Sequence, residues 1–369
     1  MEVYIHIPFC VRKCTYCDFL SGPSDHETIR AYIKTLLREI RTAPELRNEP
    51  VSSVYIGGGT PTILEGEDLA LILAAVRETA QLDKGAEISV EANPGTLTRQ
   101  KLAVLRQAGF NRLSIGLQSP DREELRLLGR IHSWEDFLAG FYMAREEGFA
   151  NINVDLMSAL PGQTREKWIR NLRQTAALSP EHISAYTLIL EEGTPLAESN
   201  PVMPDEDTQA DIYMDTAPIL AEYGYEWYEI SNYALPGRAC DHNIGYWRRR
   251  DYLGIGLGAA SKIRHCRFSN TSVLDTYLTW QGETAELHTD VTVLTREEEM
   301  AEYWFLGLRM RAGVALSGFE AAFGVGAWDV YGPVLEKHLS DGLLVCEGDI
   351  VRLSRRGIPI CNYVMSDFV

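Results

Sequence analysis

The first 235 residues alternate short runs of apolar and β-branched residues with longer stretches of helical periodicity. Each short run is almost continuously apolar, as in strands that are covered on both faces. Strands that alternate with helices of this length form β-α units around a parallel sheet. This pattern predicts six strands, over residues 2–7, 51–56, 87–91, 112–117, 151–155 and 182–188.

Amphipathic stretches fill the gaps between these strands. Many of them follow a residue that can cap a helix N-terminus, namely Ser24, Asp25, Thr98, Ser133 or Thr164. The periodicity predicts helices over residues 28–42, 68–80, 99–107, 134–147, 166–177 and 208–223. Residues 1–235 are therefore expected to form an α/β domain.

The pattern changes after Pro236. Residues 236–290 include the Gly-, Arg- and aromatic-rich stretch DHNIGYWRRRDYLGIGLGAASK, which follows neither the helical nor the strand period. We interpret this segment as a functional loop or linker. The pattern of residues 291–369 predicts a small C-terminal module with a winged-helix-like arrangement of its elements. Its expected elements are a helix over 295–311, a hairpin that turns at 347–349 and a helix over 355–363.

The net charge argues against one large class of partner. The chain of 369 residues carries 35 Lys and Arg against 52 Asp and Glu, so its formal net charge is −17. Such a surface repels phosphate backbones, which disfavours nucleic acid, including DNA at the C-terminal module. We find neither a transmembrane run nor a signal peptide and expect a cytosolic protein. In a reducing compartment, the seven cysteines indicate metal or cluster ligation rather than disulfides.

Three cysteines follow the first predicted strand directly. Cys10, Cys14 and Cys17 have CxxxCxxC spacing, and no fourth Cys or His lies at a distance that would complete a closed zinc site. Thiolates at three corners of a [4Fe–4S] cluster leave one iron open for a ligand that is not protein. The remaining cysteines have no ligand spacing and are assigned to packing; they are Cys240, Cys266, Cys346 and Cys361. Cys240 lies two residues before His242 and could also offer a thiolate ligand.

With the stretch Tyr4-Ile-His-Ile-Pro-Phe-Cys10 and the cysteine spacing in view, the sequence resembles the radical S-adenosylmethionine (SAM) superfamily. It is most similar to the branch that comprises the oxygen-independent coproporphyrinogen III oxidases and the haem chaperones. The resemblance extends over essentially the whole chain. It implies a partial (β/α)6 barrel, a cluster whose open iron is chelated by SAM, and cleavage of SAM to a 5′-deoxyadenosyl radical by one electron.

A glycine run and three strand-end polar residues define the expected SAM site. Gly57, Gly58 and Gly59 end the second strand in a pattern unlike the phosphate-binding motifs, which indicates close backbone approach to a ligand. Polar residues also end later strands, and strand ends in a parallel barrel meet at one mouth. The resemblance assigns SAM contacts to Tyr4, Gly58, Gly59, Thr60, Glu91, Gln118, Arg130 and Asp155.

The segment from His242 to Trp247 reproduces the HNxxYW motif of the haem chaperones. Imidazole is a common haem ligand, Tyr246 and Trp247 are suited to stacking on a porphyrin, and the arginines at 248–250 are suited to its propionates. The oxidases carry a further cysteine two residues after the third, where this chain has Phe19, and they have a longer segment before the cluster motif.

The resemblance therefore implies a haem chaperone. Such a protein binds a [4Fe–4S] cluster, SAM and haem, the last through His242, and delivers haem to haem-dependent proteins that include membrane-bound respiratory enzymes. The alternative is a coproporphyrinogen III oxidase, which decarboxylates its substrate to protoporphyrinogen IX. A third reading is another SAM-dependent methyl or alkyl transfer to a tetrapyrrole.

Overall fold

The computed structural model describes all residues from Met1 to Val369. Six parallel strands form its centre and lie side by side in chain order. All six predicted strands are confirmed, and the α/β class with them. Their bounds are β1 Glu2–Ile7, β2 Val51–Gly58, β3 Leu82–Ala92, β4 Arg112–Gln118, β5 Ile152–Ser158 and β6 His182–Thr187.

Helices cover the outer face of these strands. Four of them begin at predicted capping residues, since the side chains of Asp25, Thr98, Ser133 and Thr164 each accept a hydrogen bond from a backbone N–H of the first turn. The helices are α1 His26–Thr42, α2 Gly66–Thr79, α3 Arg99–Ala108, α4 Arg122–Leu127, α5 Trp134–Glu146, α6 Arg165–Ala176, α7 Pro195–Glu198 and α8 Glu206–Ala221. All six predicted helices are present within about two residues of their expected ends, whereas the short α4 and α7 were not predicted.

The two faces of the strands differ in chemistry. Residues such as Val3, Ile5 and Val54 face the helices and belong to one core of 55 buried residues. The alternate positions carry polar groups that are also buried, for example Glu2 and Ser53, which lie opposite each other in β1 and β2. The sequence prediction of two covered faces is therefore confirmed, but the inner face is polar rather than apolar.

Residues 236–290 are not a linker. They form a helix at the motif, α9 Asp241–Trp247, and then four strands that extend the barrel sheet, with a short helix α10 Leu274–Thr279. Two further short strands, β7 Glu226–Glu229 and β8 Asn232–Ala234, extend its other end. The four strands are β9 Tyr252–Ile255, β10 Ala260–Ile263, β11 Cys266–Asn270 and β12 His288–Val293. Most of these strands span only four or five residues, too few to show a period, which explains why the sequence pattern suggested a loop.

Besides the pairing of β9 with β1, one buried carboxylate of α1 holds the extension. Glu39 of α1 accepts hydrogen bonds from the Gly256 backbone N–H (3.0 Å), from Asn270 Nδ2 (2.6 Å) and from the Tyr277 hydroxyl (2.6 Å). Burial raises the pKa of Glu39 to about 7. Since the three donors come from separate parts of residues 252–279, this one side chain fixes the extension against α1.

The C-terminal module has its own core of 16 buried residues around Trp304 and Phe319. Its hairpin turns at Gly348, which has a φ of 60°, as the sequence predicted. The module contains α11 Arg296–Gly307, α12 Leu316–Phe323, α13 Ala327–Ser340 and α14 Cys361–Ser366, with strands β13 Val314–Ala315, β14 Leu344–Glu347 and β15 Ile350–Leu353. No helix of the structure combines the length and apolar character needed to span a membrane.

We predict that Glu39→Ala lowers the free energy of unfolding by about 3 kcal/mol or more, because three buried donors lose their acceptor. Urea unfolding followed by circular dichroism measures the change. Glu27→Ala in the exposed first turn of the same helix is the control and is expected to change stability by only a few tenths of a kcal/mol. Equal midpoints for the two variants would contradict the anchoring role.

Candidate functional site

A cavity of about 460 Å³ opens at the C-terminal ends of the parallel strands. The three motif cysteines line it together with seven of the residues expected to contact SAM: Gly58, Gly59, Thr60, Glu91, Gln118, Arg130 and Asp155. The structure therefore brings ten of the twelve predicted site residues to one mouth. Tyr4 and His242 lie elsewhere.

The cysteine loop is fixed by contacts with distant parts of the chain. The Cys10 N–H donates to Gly22 O (3.0 Å), and Thr15 bonds Leu128 O through its N–H (3.1 Å). Two thiols also accept weak hydrogen bonds, Cys10 Sγ from Thr60 Oγ1 (3.7 Å) and Cys14 Sγ from Arg130 Nη1 (3.6 Å). Donors directed at sulfur stabilise its anionic, ligating form.

The donor set fits a cluster better than a single metal ion. All three motif cysteines are free thiols. No group of three or more Cys, His, Asp or Glu side chains is close enough together to hold one ion. In a [4Fe–4S] cluster each thiolate binds a different iron, so the sulfur atoms need not converge on one point. Three thiols around an open cavity meet this requirement.

Gly59 permits the close packing of the glycine run against the cysteine loop. A Cβ at this position would lie 2.6 Å from Phe9 O and 2.7 Å from Cys10 Sγ. Gly58 has a φ of +120°, and its N–H donates to Glu91 Oε2 (3.1 Å). The close approach at Gly59 agrees with the sequence analysis, whereas the left-handed backbone at Gly58 was not predicted.

Two partly buried carboxylates line the cavity, and neither forms an ion pair with a cationic side chain. Glu91 accepts from the Tyr55 hydroxyl (2.9 Å), and Asp155 accepts from Asn153 Nδ2 (2.8 Å). Burial, and next the negative charge of Asp155, raise the pKa of Glu91 to about 7. Burial likewise raises the pKa of Asp155. A ligand that carries positive charge, as SAM does at its sulfonium and ammonium groups, would supply the missing counter-charge.

Arg130 supplies the opposite charge at the same mouth. Its Nη2 donates to Asn93 Oδ1 (2.6 Å) and to Gly116 O (2.5 Å), while its Nε is buried without a partner. Nearby, Gln118 has a φ of 69° at an irregularity in the pairing of β4 with β5. A guanidinium with an unused donor is suited to a ligand carboxylate. The residues at this mouth therefore fit both charges of SAM.

Tyr4 does not reach this cavity. Its hydroxyl is 2.9 Å from His6 Nδ1, and its ring lines a separate cavity of about 330 Å³ with Tyr246 and Tyr252. The structure does not place Tyr4 with the other expected SAM contacts.

The prediction that His242 ligates haem requires a correction. It lies at the opposite end of the barrel, where α9 covers the N-terminal ends of the strands, and its side chain is only 2% exposed. Nδ1 is 2.8 Å from Ser53 Oγ and Nε2 is 3.0 Å from the Tyr246 hydroxyl. Burial, and next the positive charge of Arg112, lower the pKa of His242 to about 3. Since both ring nitrogens are occupied, His242 is not an available haem ligand in this conformation.

Tyr55 connects the two ends and was missed by the sequence analysis. Its ring stacks on the His242 imidazole with centroids 5.1 Å apart, while its hydroxyl holds Glu91. The signal was present, since Tyr55 occupies the same face of β2 as Ser53 and precedes Gly57 by two positions.

Comparison with known proteins assigns the family. The Radical SAM superfamily model matches residues 4–174, and the HemN C-terminal domain model matches residues 294–360. A haem chaperone HemW of Lactococcus lactis is 34% identical over 372 residues, which cover 100% of this chain and 97% of the relative. The chain belongs to the HemW family of the radical SAM superfamily. The HemW of Escherichia coli is 35% identical, with 100% and 98% coverage.

A solved structure confirms the architecture. The coproporphyrinogen III oxidase HemN of Escherichia coli, a radical SAM enzyme, is similar with a TM-score of 0.86 and 27% identity. The similarity covers 100% of this chain and 89% of the enzyme. The barrel and the C-terminal module of this family member are therefore shared with that fold.

We predict that Gly59→Ala impairs reconstitution of the iron–sulfur centre, because the new Cβ would displace the backbone that carries Cys10. Iron and sulfide content and the visible absorbance band measure the effect, with an expected loss of at least half. Gly95→Ala is the matched control, since nothing lies within 4 Å of a Cβ at that position. Equal cluster content in both variants would refute the steric argument.

We also predict that SAM binds more weakly at low pH. Glu91 has a pKa near 7 in the free protein, and a cationic ligand favours its ionised form, so binding at pH 6 must first remove a proton. The Kd is expected to rise roughly tenfold between pH 8 and pH 6. Anaerobic calorimetry checks this. Glu91→Gln should bind weakly with a flatter profile, and an unchanged slope in that variant would contradict the assignment.

Proposed function

We propose that this protein is a haem chaperone of the radical SAM superfamily, which binds a [4Fe–4S] cluster, SAM and haem and delivers haem to haem-dependent proteins. The observation that carries this proposal is the similarity to haem chaperones over the full length of the chain, at 34% and 35% identity. Phe19 supports it, because this residue stands where the oxidases have a further cysteine.

The cluster would be held by Cys10, Cys14 and Cys17. Bound there, it supplies an open iron for SAM and a one-electron donor. The chain's own part is to hold these thiols in place. Thr60 and Arg130 direct donors at two of the sulfur atoms, and the loop is pinned at Thr15.

SAM would lie against the glycine run at the mouth. Glu91 and Asp155 would face its positive charge, and Arg130 would pair with its carboxylate through the nitrogen that is now without a partner. Gln118, Gly58 and Thr60 complete the lining of the cavity. The partly buried position of both carboxylates strengthens their attraction for a cation relative to the same pair in water.

Haem ligation by His242 would need α9 to move away from the barrel base. Both hydrogen bonds of its ring, to Ser53 and to Tyr246, would have to break first. We therefore assign His242 a structural role in the haem-free protein and leave the axial ligand unassigned. The proposed recipients are haem-dependent proteins, including membrane-bound respiratory enzymes.

A coproporphyrinogen III oxidase is the second candidate. The fold similarity to the Escherichia coli enzyme favours it, with a TM-score of 0.86 over the whole chain. The identity to that enzyme is 27%, lower than the 34% and 35% to the chaperones.

The deciding experiment is an anaerobic haemin titration of the cluster-reconstituted protein, followed at the Soret band. We expect stoichiometric binding by the wild type. His242→Ala should retain the stoichiometry but unfold at lower temperature, because the variant leaves Ser53 and Tyr246 without their partner. Loss of the Soret band in a folded variant would show that α9 opens and that His242 ligates haem.

Cys14→Ala tests the cluster independently. The variant should lose most of the cluster absorbance, because only two of the three motif thiols remain. A wild type that binds no haem but converts coproporphyrinogen III to protoporphyrinogen IX would overturn the chaperone proposal in favour of the oxidase.

A further inference from the structure

The helix that carries the HNxxYW motif, α9, ends in a backbone conformation that favours glycine. Arg249 has a φ of 58°, and its N–H donates to Tyr246 O (3.1 Å). The next N–H, of Arg250, donates to Gly245 O (2.9 Å). These two hydrogen bonds form a Schellman motif, in which the left-handed position usually holds glycine. A side chain there strains the backbone, so contacts of the Arg249 side chain have to compensate for the strain.

Those contacts come from the C-terminal module. Arg249 Nη2 lies 3.7 Å from Glu299 Oε1, and Arg249 Nε lies 3.6 Å from Glu302 Oε2, one turn further along α11. The three side chains are at most 15% exposed, so salt screens these ion pairs little. The guanidinium also lies over the Phe323 ring, 5.6 Å from its centroid. We call Arg249, Glu299 and Glu302 the latch.

The last residue of α9 is held from the same side. The Arg309 guanidinium, just after α11, lies over the Trp247 ring at 4.3 Å from the centroid, which is a cation–π contact. Glu302 also accepts a hydrogen bond from Arg267 Nε of β11 (2.7 Å). The region of α11 therefore joins the end of α9 to the sheet extension.

Two cavities flank this end of α9. One of about 330 Å³ is shared with the sheet extension, and one of about 240 Å³ is shared with α11 and β13. Trp247 and Arg249 line both cavities, and the Trp247 Nε1 is buried without a partner. A helix end with free space on two sides is held by specific contacts more than by close packing.

The length of α9 couples its end to His242. The helix has only seven residues, Asp241–Trp247, and His242 lies in its first turn. Two turns of helix are not stable without tertiary contacts. Release of the end of α9 therefore loosens the whole helix, including the hydrogen bonds that cover the His242 imidazole.

We propose that the C-terminal module locks α9 over the base of the barrel through the latch, and that displacement of α11 exposes the His242 imidazole. The module has its own core, so it can shift as a unit. Once Arg249 is released, its strained backbone relaxes and α9 leaves Ser53. The use of the exposed imidazole for haem rests on the proposed function, whereas the latch itself does not require haem.

Contacts at the other end of α9 offer a competing explanation for its position. Glu87 of β3 accepts hydrogen bonds from the Asp241 N–H (3.2 Å) and from the Cys240 thiol (3.3 Å). If these contacts and the Ser53 hydrogen bond sufficed, loss of the latch would leave α9 in place. The two explanations therefore differ in what happens to α9 when only the latch is removed.

The test is hydrogen exchange of the full-length, haem-free protein with its reconstituted cluster, followed by mass spectrometry over residues 241–250. Glu299→Gln with Glu302→Gln opens the latch from the C-terminal module. Glu297→Gln with Glu320→Gln is the matched control, since both residues are exposed in the same module and the net charge changes equally.

Arg249→Gly opens the latch from the side of α9 and separates two roles of this residue. Glycine removes the strain of the left-handed position, so backbone preference alone predicts slower exchange in α9. Loss of the latch predicts faster exchange. Arg248→Ala is the control, because it removes the same charge from the exposed neighbouring residue.

We expect both latch variants to raise the exchange rate of residues 241–250 about tenfold, because a buried ion pair loses one partner in each. The two controls should exchange as the wild type does. Diethyl pyrocarbonate should modify His242 faster by a similar factor in the latch variants. Exchange of α1 in the same samples should not change.

Several results would overturn the proposal. These are equal exchange of residues 241–250 in the latch and control variants, slower exchange in Arg249→Gly, or an equal rise in α1 and α9, which would show general destabilisation. None of these measurements includes haem, so a failed haemin titration would contradict the proposed function without deciding this inference.

Discussion

The polar inner face of the barrel is the constraint on which the rest of this structure depends. Six strands turn charged and hydroxyl side chains inward, and those groups must be hydrogen-bonded where they are buried. At the base of the barrel, where the strands begin, α9 covers these polar groups. Gly245 in this helix lies so close to Glu2 that a Cβ would be 1.5 Å from the Glu2 carboxylate. At the mouth the polar groups remain open, and that opening is the candidate site.

The two ends of the barrel are in physical contact through one aromatic side chain. Tyr55 holds the Glu91 carboxylate at the mouth and stacks on His242 at the base. The motif that we associated with haem from sequence is therefore part of the packing that supports the candidate site at the mouth. The Tyr55 side chain therefore contacts a residue at each end of the barrel.

The sequence predicted the barrel well because each strand and helix left a local signal. The preferences of single residues predict helix caps such as Ser133 and the hairpin turn at Gly348. The short periods of apolar residues predict the bounds of the strands. The cysteine spacing and the strand-end polar residues Glu91 and Asp155 were sufficient to place the mouth, because the carboxyl ends of parallel strands must meet.

The strands after α9 and the burial of His242 could not be predicted from the sequence, because both depend on contacts between residues far apart in the chain. The strands after α9 are too short to show alternation, and only pairing with β1 makes them strands. The burial of His242 depends on Ser53, which lies 189 residues away in the chain. A sequence motif shows which residue types occur at a given spacing. Whether their side chains are exposed depends on the tertiary structure around them.

The position of β1 has a consequence for the order in which this protein is built during synthesis. The strand that leads into the cysteine loop pairs with β2 on one side and with β9, Tyr252–Ile255, on the other. The ribosome must therefore make residue 252 and its neighbours before the second edge of this N-terminal strand can close. The cysteines emerge first, but their supporting strand is completed late, so the nascent chain exposes its three candidate cluster ligands long before the barrel can enclose them.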